Sequence, residues 1–144
     1  MNTSFRLCPS ADILYAMDEI WWRHYLPEVR QSFAGDLWSA VPVQGIKRVR
    51  FQRNCANSGA GAIALAAKLG AARIFLLGYD AKHAGGKTHW HGSHPRHMGD
   101  AGKVASWPAQ FAELAGWVGA EVINLSRDTA ITCFRRGAVE EWLA

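Results

Sequence analysis

A helix followed directly by an apolar strand, between residues 57 and 80, is the feature that most constrains the fold of this 144-residue chain. Asn57-Ser58-Gly59 precedes a run of strong helix formers from Ala60 to Leu69, and Gly70 is placed to end the helix. The next segment, Arg73 to Gly78, is apolar on both faces, as the strands of a parallel sheet usually are. Residues 57–80 therefore predict one helix–strand unit of a parallel α/β sheet.

Segments on both sides of this unit continue the alternation of strands and helices. The other predicted strands are Ile13–Met17, Leu37–Ala40, Lys47–Phe51 and Glu121–Leu125. The other predicted helices are Glu19–Gln31, which we expect Pro27 to split near Leu26, Trp107–Val118 and Ala138–Leu143. This alternation predicts a single α/β domain over residues 1–144, with a parallel sheet flanked by helices.

The composition argues against several classes of protein. The longest apolar stretch, Gly59 to Gly78, is interrupted by charged side chains, so no membrane span is predicted. The N-terminal residues lack the order of a secretion signal. Cys8, Cys55 and Cys133 are odd in number and widely spaced, which indicates free thiols and a cytoplasmic location.

Most of the formal net charge of +4 could come from one basic segment, residues 47–53, in which charged and apolar side chains alternate. In one interpretation it is a short strand with one solvated face and one face that packs inward. In the other it is a patch that binds an anionic ligand or nucleic acid. Since the sequence contains neither a second basic cluster nor a nucleic-acid motif, nucleic acid is not favoured as a partner.

Polar side chains follow several of the predicted strands. Asp18, Asp80 and Asn124 each lie at or just beyond a strand's carboxyl end, and Ser126 follows closely after Asn124. Ligands of open parallel sheets bind beyond the carboxyl ends of the strands. These residues are therefore candidate site residues. Asn57-Ser58-Gly59, at a helix start, is either an anion-binding turn or a plain capping turn.

Four of the six histidines lie within residues 88–97, in a predicted long loop, residues 79–102, beyond the strand that ends near Asp80. They are His89, His91, His94 and His97. One interpretation is a general acid or base near a bound ligand, because imidazole titrates near neutral pH. A second is a metal site, which the spacing does not favour because it matches no zinc motif. A third is a surface loop without chemical function.

Three segments resemble a known family. The run NSGAGAIALAAKLGAARIFLLGYD, then THWHGSH and VINLSRDTAITCF, are similar to the MptE-like domain family, named after an archaeal 6-hydroxymethyl-dihydropterin diphosphokinase. The family includes many phage and prophage proteins, and the resemblance implies such an origin here. The same layout is similar to single-domain bacterial sialyltransferases, so the resemblance implies a Rossmann-like sheet and a nucleotide-sugar donor of the CMP type.

The resemblance also implies roles for individual residues. In the sialyltransferases, positions like Asn2, Asp18, Ser58 and Gly59 contact the nucleotide. A histidine in the segment like residues 89–94 is the general base. The catalytic candidates are His94, His91 and Asp80. The nucleotide-binding candidates are Asn2, Asp18, Asn57, Ser58, Gly59, Lys82, Asn124 and Ser126, with Lys82 at the position of a phosphate-holding tyrosine.

Two departures from the family are visible. The related proteins begin with a strand and a Gly-rich turn that precede the position of Asn2, and these are missing before Met1-Asn2-Thr3. The histidine loop is also shorter than in the sialyltransferases, which implies a different acceptor. An unpaired sheet edge would favour a homo-oligomer, with Trp21, Trp22 or Trp142 as interface anchors.

The leading hypothesis from the sequence is a nucleotide-dependent transferase that moves a glycosyl or diphospho group to a small hydroxyl acceptor. The first alternative is a catalytically inactive nucleotide-binding protein of a phage or prophage. The second alternative is a protein that binds metal through the histidine loop. No cofactor beyond the nucleotide-sugar donor is firmly implied, and a metal ion is not expected.

Overall fold

Two parallel sheets flanked by helices make up the part of the chain that the computed structural model describes, residues 3–53, 55–82 and 104–142. The strands are β1 (Ile13–Ala16), β2 (Asp36–Ser39), β3 (Lys47–Arg48), β4 (Arg73–Leu76), β5 (Glu121–Asn124) and β6 (Arg135–Arg136). The α-helices are α1 (Glu19–Ser32), α2 (Ser58–Lys68), α3 (Trp107–Ala115) and α4 (Val139–Trp142), and 3-10 turns lie at Ser4–Arg6 and Val104–Ser106. The predicted α/β class is therefore confirmed.

The first sheet has the strand order β1-β2-β3 and the second sheet the order β4-β5-β6. All four strand pairs are parallel. Ala16 pairs with Ser39 in the first sheet, and Leu76 pairs with Asn124 in the second. The carboxyl ends of neighbouring strands therefore lie side by side, which is the arrangement that the candidate site requires.

Several elements differ from their predicted bounds. The predicted strand Lys47–Phe51 pairs only over Lys47–Arg48, and the predicted helix from Trp107 ends at Ala115, where Gly116 is its C-cap. The short strand β6 was not predicted. The described strands are also divided between two sheets, where the sequence predicted one.

Pro27 lies inside α1 without splitting it, so the predicted break near Leu26 is wrong. A proline within a helix removes a backbone hydrogen bond and costs about 3 kcal/mol. Trp22 and Tyr25 before the proline, and Val29 after it, are buried in one cluster with residues of β1. The burial of one continuous apolar face on both sides of Pro27 offsets the lost hydrogen bond, because helices in proteins are stabilised mainly by packing.

The tryptophans of α1 pack within the chain. Trp22 is fully buried, and its indole Nε1 donates a hydrogen bond to the carbonyl of Ala16 at 3.0 Å. Trp21 packs edge-to-face against Trp22, with ring centroids 5.1 Å apart, and is also buried. The prediction that Trp21 or Trp22 anchors a subunit interface is therefore wrong, since neither indole is presented to a partner. The homo-oligomer itself stays a prediction.

Trp142 of α4 packs on the second sheet, and its use as an interface anchor stays a prediction. Its ring lies 5.4 Å from the ring of Phe75, centroid to centroid. The guanidinium groups of Arg73 and Arg135 lie 5.0 and 5.2 Å from its centroid. Glu121 accepts a hydrogen bond from Arg73 at 2.6 Å. The aromatic and cation–π contacts of Trp142 attach the last described helix to the sheet, and the ion pair of Arg73 with Glu121 joins β4 to β5.

Helix α2 packs against strands of both sheets, β1 and β4. Ala64 is buried with Leu76 of β4, and Leu65 is buried with Tyr15 of β1. A Cβ atom at Gly61 would lie only 2.4 Å from the Tyr15 hydroxyl oxygen, so glycine is required for this close approach. Within the described residues, no helix is long and apolar enough to cross a membrane.

Candidate functional site

The carboxyl ends of β4 and β5 are joined through polar side chains. The backbone N–H of Tyr79 donates to Ser126 Oγ at 2.7 Å, and Thr129 Oγ1 donates to the Tyr79 carbonyl at 2.5 Å. Asn124 Oδ1 accepts from the Ser126 N–H at 3.0 Å, and Asn124 Nδ2 donates to Thr129 Oγ1 at 3.3 Å. The structure thus brings Asn124 and Ser126 together beside the segment that leads to Asp80.

The burial of Asn124 and Ser126 explains their structural role. Asn124 is 0% exposed and Ser126 is 4% exposed. Because a buried polar group without a partner is costly, their hydrogen bonds stabilise the turn after each strand. Their side chains therefore fix the backbone of the candidate site, and the nucleotide-binding role assigned to them from the sequence stays a prediction.

The start of α2 is also held by internal contacts. Asn57 is the N-cap, and its Oδ1 accepts from the Ala60 N–H at 2.8 Å. Asn57 Nδ2 donates to Gln110 Oε1 of α3 at 2.8 Å. A Cβ at Gly59 would lie 3.1 Å from the Tyr79 ring, so glycine at this position serves close packing. Ser58, the first residue of α2, is half-buried, and these findings support the capping interpretation of residues 57–59.

Asp80 and Lys82 lie just beyond β4. The Asp80 carbonyl accepts a hydrogen bond from the Ala130 N–H at 2.8 Å. Within residues 3–53, 55–82 and 104–142, the half-buried carboxylate of Asp80 has no hydrogen-bond or ion-pair partner. Lys82 forms a salt bridge with Asp128, which compensates its charge. Among these residues the Asp80 carboxylate is thus unpaired, whereas the ammonium group of Lys82 has a partner.

Asp18 follows β1 and is the N-cap residue of α1, but its side chain makes no capping hydrogen bond. The carboxylate is exposed. It lies close enough to Tyr15 to contribute to the raised pKa of that phenol. Asp18 thus combines exposure with a position at the carboxyl edge of the first sheet, as the sequence predicted.

The remaining candidates, Asn2, His91 and His94, lie outside the described residues, as does most of the loop 79–102. Their predicted roles stay predictions. Across the residues that the structure does describe, no group of three or more His, Cys, Asp or Glu side chains is arranged to hold a metal ion. The three cysteines are free, as expected, with Cys8 and Cys133 exposed and Cys55 buried.

A cavity of about 430 Å³ lies at the carboxyl ends of β1, β2 and β3. It is lined by Tyr15, Met17, Ala40, Val49, Arg50, Phe51, Gln52, Arg53 and Cys55. Cavities of this size accept small molecules. Most of its charged and aromatic lining comes from residues 50–53, in the basic segment that the sequence left open between two interpretations. Val49 is buried, as the strand interpretation predicts, and Arg50 lines the cavity. Binding of an anionic ligand by this segment stays a prediction.

One residue of the cavity lining has a buried polar atom without a partner in the described residues. Tyr15 is 2% exposed, and its hydroxyl is buried without a hydrogen-bond partner. Burial raises the pKa of Tyr15 well above its ordinary value, with smaller contributions from Cys55 and Asp18. Trp38 Nε1 is the other buried side-chain atom without a partner in the described ranges. Both residues belong to one apolar cluster with Phe51 and Met17, which line the cavity.

Burial also raises the pKa of Tyr79, to about 12 from its ordinary value of 10.0. Because the folded state holds this proton more tightly than the unfolded state, the resulting stability is fully present below pH 10 and is lost as the pH rises toward about 12. We therefore expect the free energy of unfolding to fall over this alkaline range and to fall less steeply in Tyr79→Phe. Urea titrations of both proteins at several pH values test this, and equal slopes would contradict it.

The described residues thus form an α/β fold with a cavity at the carboxyl edge of a parallel sheet. Comparison with known proteins matches this chain to no family model, no curated protein and no solved structure.

Proposed function

We propose that the protein is a nucleotide-dependent transferase that moves a glycosyl or diphospho group from a nucleotide donor to a hydroxyl acceptor. The observation that carries this proposal is the cavity of about 430 Å³ at the carboxyl ends of β1–β3, next to the exposed carboxylate of Asp18. Ligands of parallel α/β sheets bind at this edge. The resemblance of residues 57–80 to the MptE-like family supports the same class of ligand.

The arrangement of α2 supports a Rossmann-like sheet. Helix α2 packs on both β1 and β4, which are edge strands of the first and second sheets. With β1 beside β4, the strand order would be β3-β2-β1-β4-β5-β6, which is the order of dinucleotide-binding folds. In that sheet the strand order reverses between β1 and β4, so Asp18 and Asp80 would face one crevice.

The chemistry assigned to the site is transfer with a histidine as general base. His94, or alternatively His91, removes the proton of the acceptor hydroxyl. The acceptor oxygen then forms a bond to the transferred sugar carbon, while the bond from that carbon to the donor's phosphate oxygen breaks. The nucleotide leaves, and its phosphate oxygen keeps the electron pair of the broken bond. In a diphospho transfer, phosphorus takes the place of the sugar carbon. Asp80 lies beyond β4, where it can position the acceptor or the base.

One observation favours a second candidate, a nucleotide-binding protein without transferase activity. Lys82, assigned to the departing phosphate, is neutralised by Asp128 in a salt bridge. Asn57 is likewise occupied, by the N–H of Ala60 and by Gln110. A site with these groups engaged can bind a nucleotide and still lack stabilisation of the leaving group.

Thermal unfolding with a panel of nucleotides and nucleotide-sugars, each with and without chelator, tests the proposal. A ligand that binds only the folded state raises the midpoint, so micromolar affinity is visible at millimolar ligand. We expect one nucleotide class to raise the midpoint independently of chelator, and its sugar or diphosphate donor to be consumed when an acceptor is present. Binding without consumption would favour the second candidate. Destabilisation by chelator alone would favour the metal-binding alternative.

A further inference from the structure

The cavity at the carboxyl ends of β1–β3 carries uncompensated positive charge. Arg50 and Arg53 line it, and no acidic side chain among the described residues does. In the described part of the chain, neither arginine has a hydrogen-bond or ion-pair partner. Most other described basic side chains are paired, as Lys47 is with Asp36 at 2.5 Å. Arg50 and Arg53 thus differ from Arg48, which also has no partner in the described residues but does not line the cavity.

The lining of the cavity also determines which anion fits. Guanidinium groups bind phosphate oxygens through paired, charge-assisted hydrogen bonds. Phe51 and Met17 offer an apolar surface between the arginines and the sheet, with the Phe51 ring 6.3 Å from the Tyr15 ring, centroid to centroid. A ligand with a phosphate at one end and a flat ring at the other matches both parts of this lining.

The hydroxyl of Tyr15 is a second, independent sign of a ligand. Tyr15 lines the cavity and is 2% exposed, and among the described residues its hydroxyl has no hydrogen-bond partner. An unmade hydrogen bond of this kind costs about 1–3 kcal/mol. Phosphate, ribose and base oxygens are acceptors that a bound ligand would bring to this donor.

The groups that the sequence assigned to the phosphate are, by contrast, already engaged. Asn57 caps α2 and contacts Gln110, and Lys82 pairs with Asp128. We propose that the phosphate of the ligand is held by Arg50 and Arg53 at the carboxyl end of the first sheet, and not by Lys82 and the start of α2. The identity of the ligand as a nucleotide rests on the proposed function, whereas the phosphate site rests on the cavity itself.

Isothermal titration of the full chain with inorganic pyrophosphate, and separately with CMP, tests this inference. We expect Arg50→Ala and Arg53→Ala each to weaken pyrophosphate binding at least tenfold, which corresponds to about 1.4 kcal/mol. Lys82→Ala should change the affinity less than threefold. The matched control is Arg48→Ala, because Arg48 is also an exposed arginine of the same segment but does not line the cavity. Circular dichroism and the thermal midpoint check that each variant is folded.

The outcomes separate this inference from the proposed function. Pyrophosphate binding that depends on Arg50 and Arg53, with no binding of any nucleotide, would support the phosphate site and contradict the nucleotide-dependent transferase. Nucleotide binding that is lost in Lys82→Ala and kept in both arginine variants would overturn the phosphate site and leave the proposed function standing. Equal losses of affinity in Arg48→Ala and Arg50→Ala would indicate general charge attraction and would also overturn the phosphate site. The absence of pyrophosphate binding by the unmodified protein would overturn it as well.

Discussion

Trp22→Ala is expected to lower the free energy of unfolding by about 3–5 kcal/mol, the usual cost of removing a large buried aromatic side chain. Trp22 is 0% exposed and packs against Trp21 and the residues of β1. Its loss also leaves the carbonyl of Ala16 without the hydrogen bond that Nε1 donates at 3.0 Å. Since domains of this size are stable by about 5–15 kcal/mol, the variant should be close to unfolding. Urea titration at neutral pH measures the change.

Two variants separate the causes of this loss. Trp22→Phe keeps much of the buried ring but removes the donor to Ala16, so we expect about 1–3 kcal/mol of destabilisation. Trp117→Ala is the matched control, because Trp117 is only half-buried and packs at the margin of the other large cluster. A cost for Trp117→Ala as large as that for Trp22→Ala would contradict the assignment of Trp22 as the residue that holds α1 to the end of β1.

Local signals explain why some elements were predictable from the sequence. Asn57 caps α2, small residues such as Ala60 and Ala64 face the sheets, and the apolar strand β4 follows. Each of these features depends on neighbours within a few positions. The continuity of α1 through Pro27 depends instead on the cluster formed with β1, and a single sequence does not reveal which distant residues compensate a proline.

Strand β6 illustrates a second limit. Arg135 and Arg136 are both exposed, so they show no apolar pattern, and they form a strand only because β5 offers them a backbone edge. The division of the strands between two sheets has the same origin. Which strands pair depends on which sheet edges meet in the folded chain, whereas the sequence shows only the order in which the strands occur.

The position of the candidate site, at the carboxyl ends of the strands, could be proposed from the sequence. Which of its side chains are free of internal hydrogen bonds could not. Asn124 does end β5, yet its amide is consumed by Ser126 and Thr129. Arg50 and Arg53 looked like a solvated strand face as readily as a ligand patch. The cavity that these two arginines line is formed with Tyr15, more than thirty positions earlier in the chain. Hydrogen-bond partners and cavities are set by tertiary contacts, which a motif does not encode.

His94→Ala is expected to lower transferase turnover by about 10²–10⁴-fold while changing nucleotide affinity less than about twofold, because a general base acts on the acceptor proton and not on the donor. His91→Ala is the matched variant, since the proposed base is one of these two histidines. Only one of the two should show the full loss. Single-turnover measurements with saturating donor give the rate, and isothermal titration gives the affinity.

The pH dependence distinguishes a base from a residue that only supports the loop. A histidine base must be neutral to accept the acceptor's proton, so turnover should rise with pH as the imidazolium loses its proton and then level off. The variant that lacks the base should lose this rise, while the other histidine variant and Asp80→Asn should keep it. Unchanged turnover in both His94→Ala and His91→Ala would contradict base catalysis by this loop and would leave nucleotide binding, through the arginine-lined cavity, as the activity to explain.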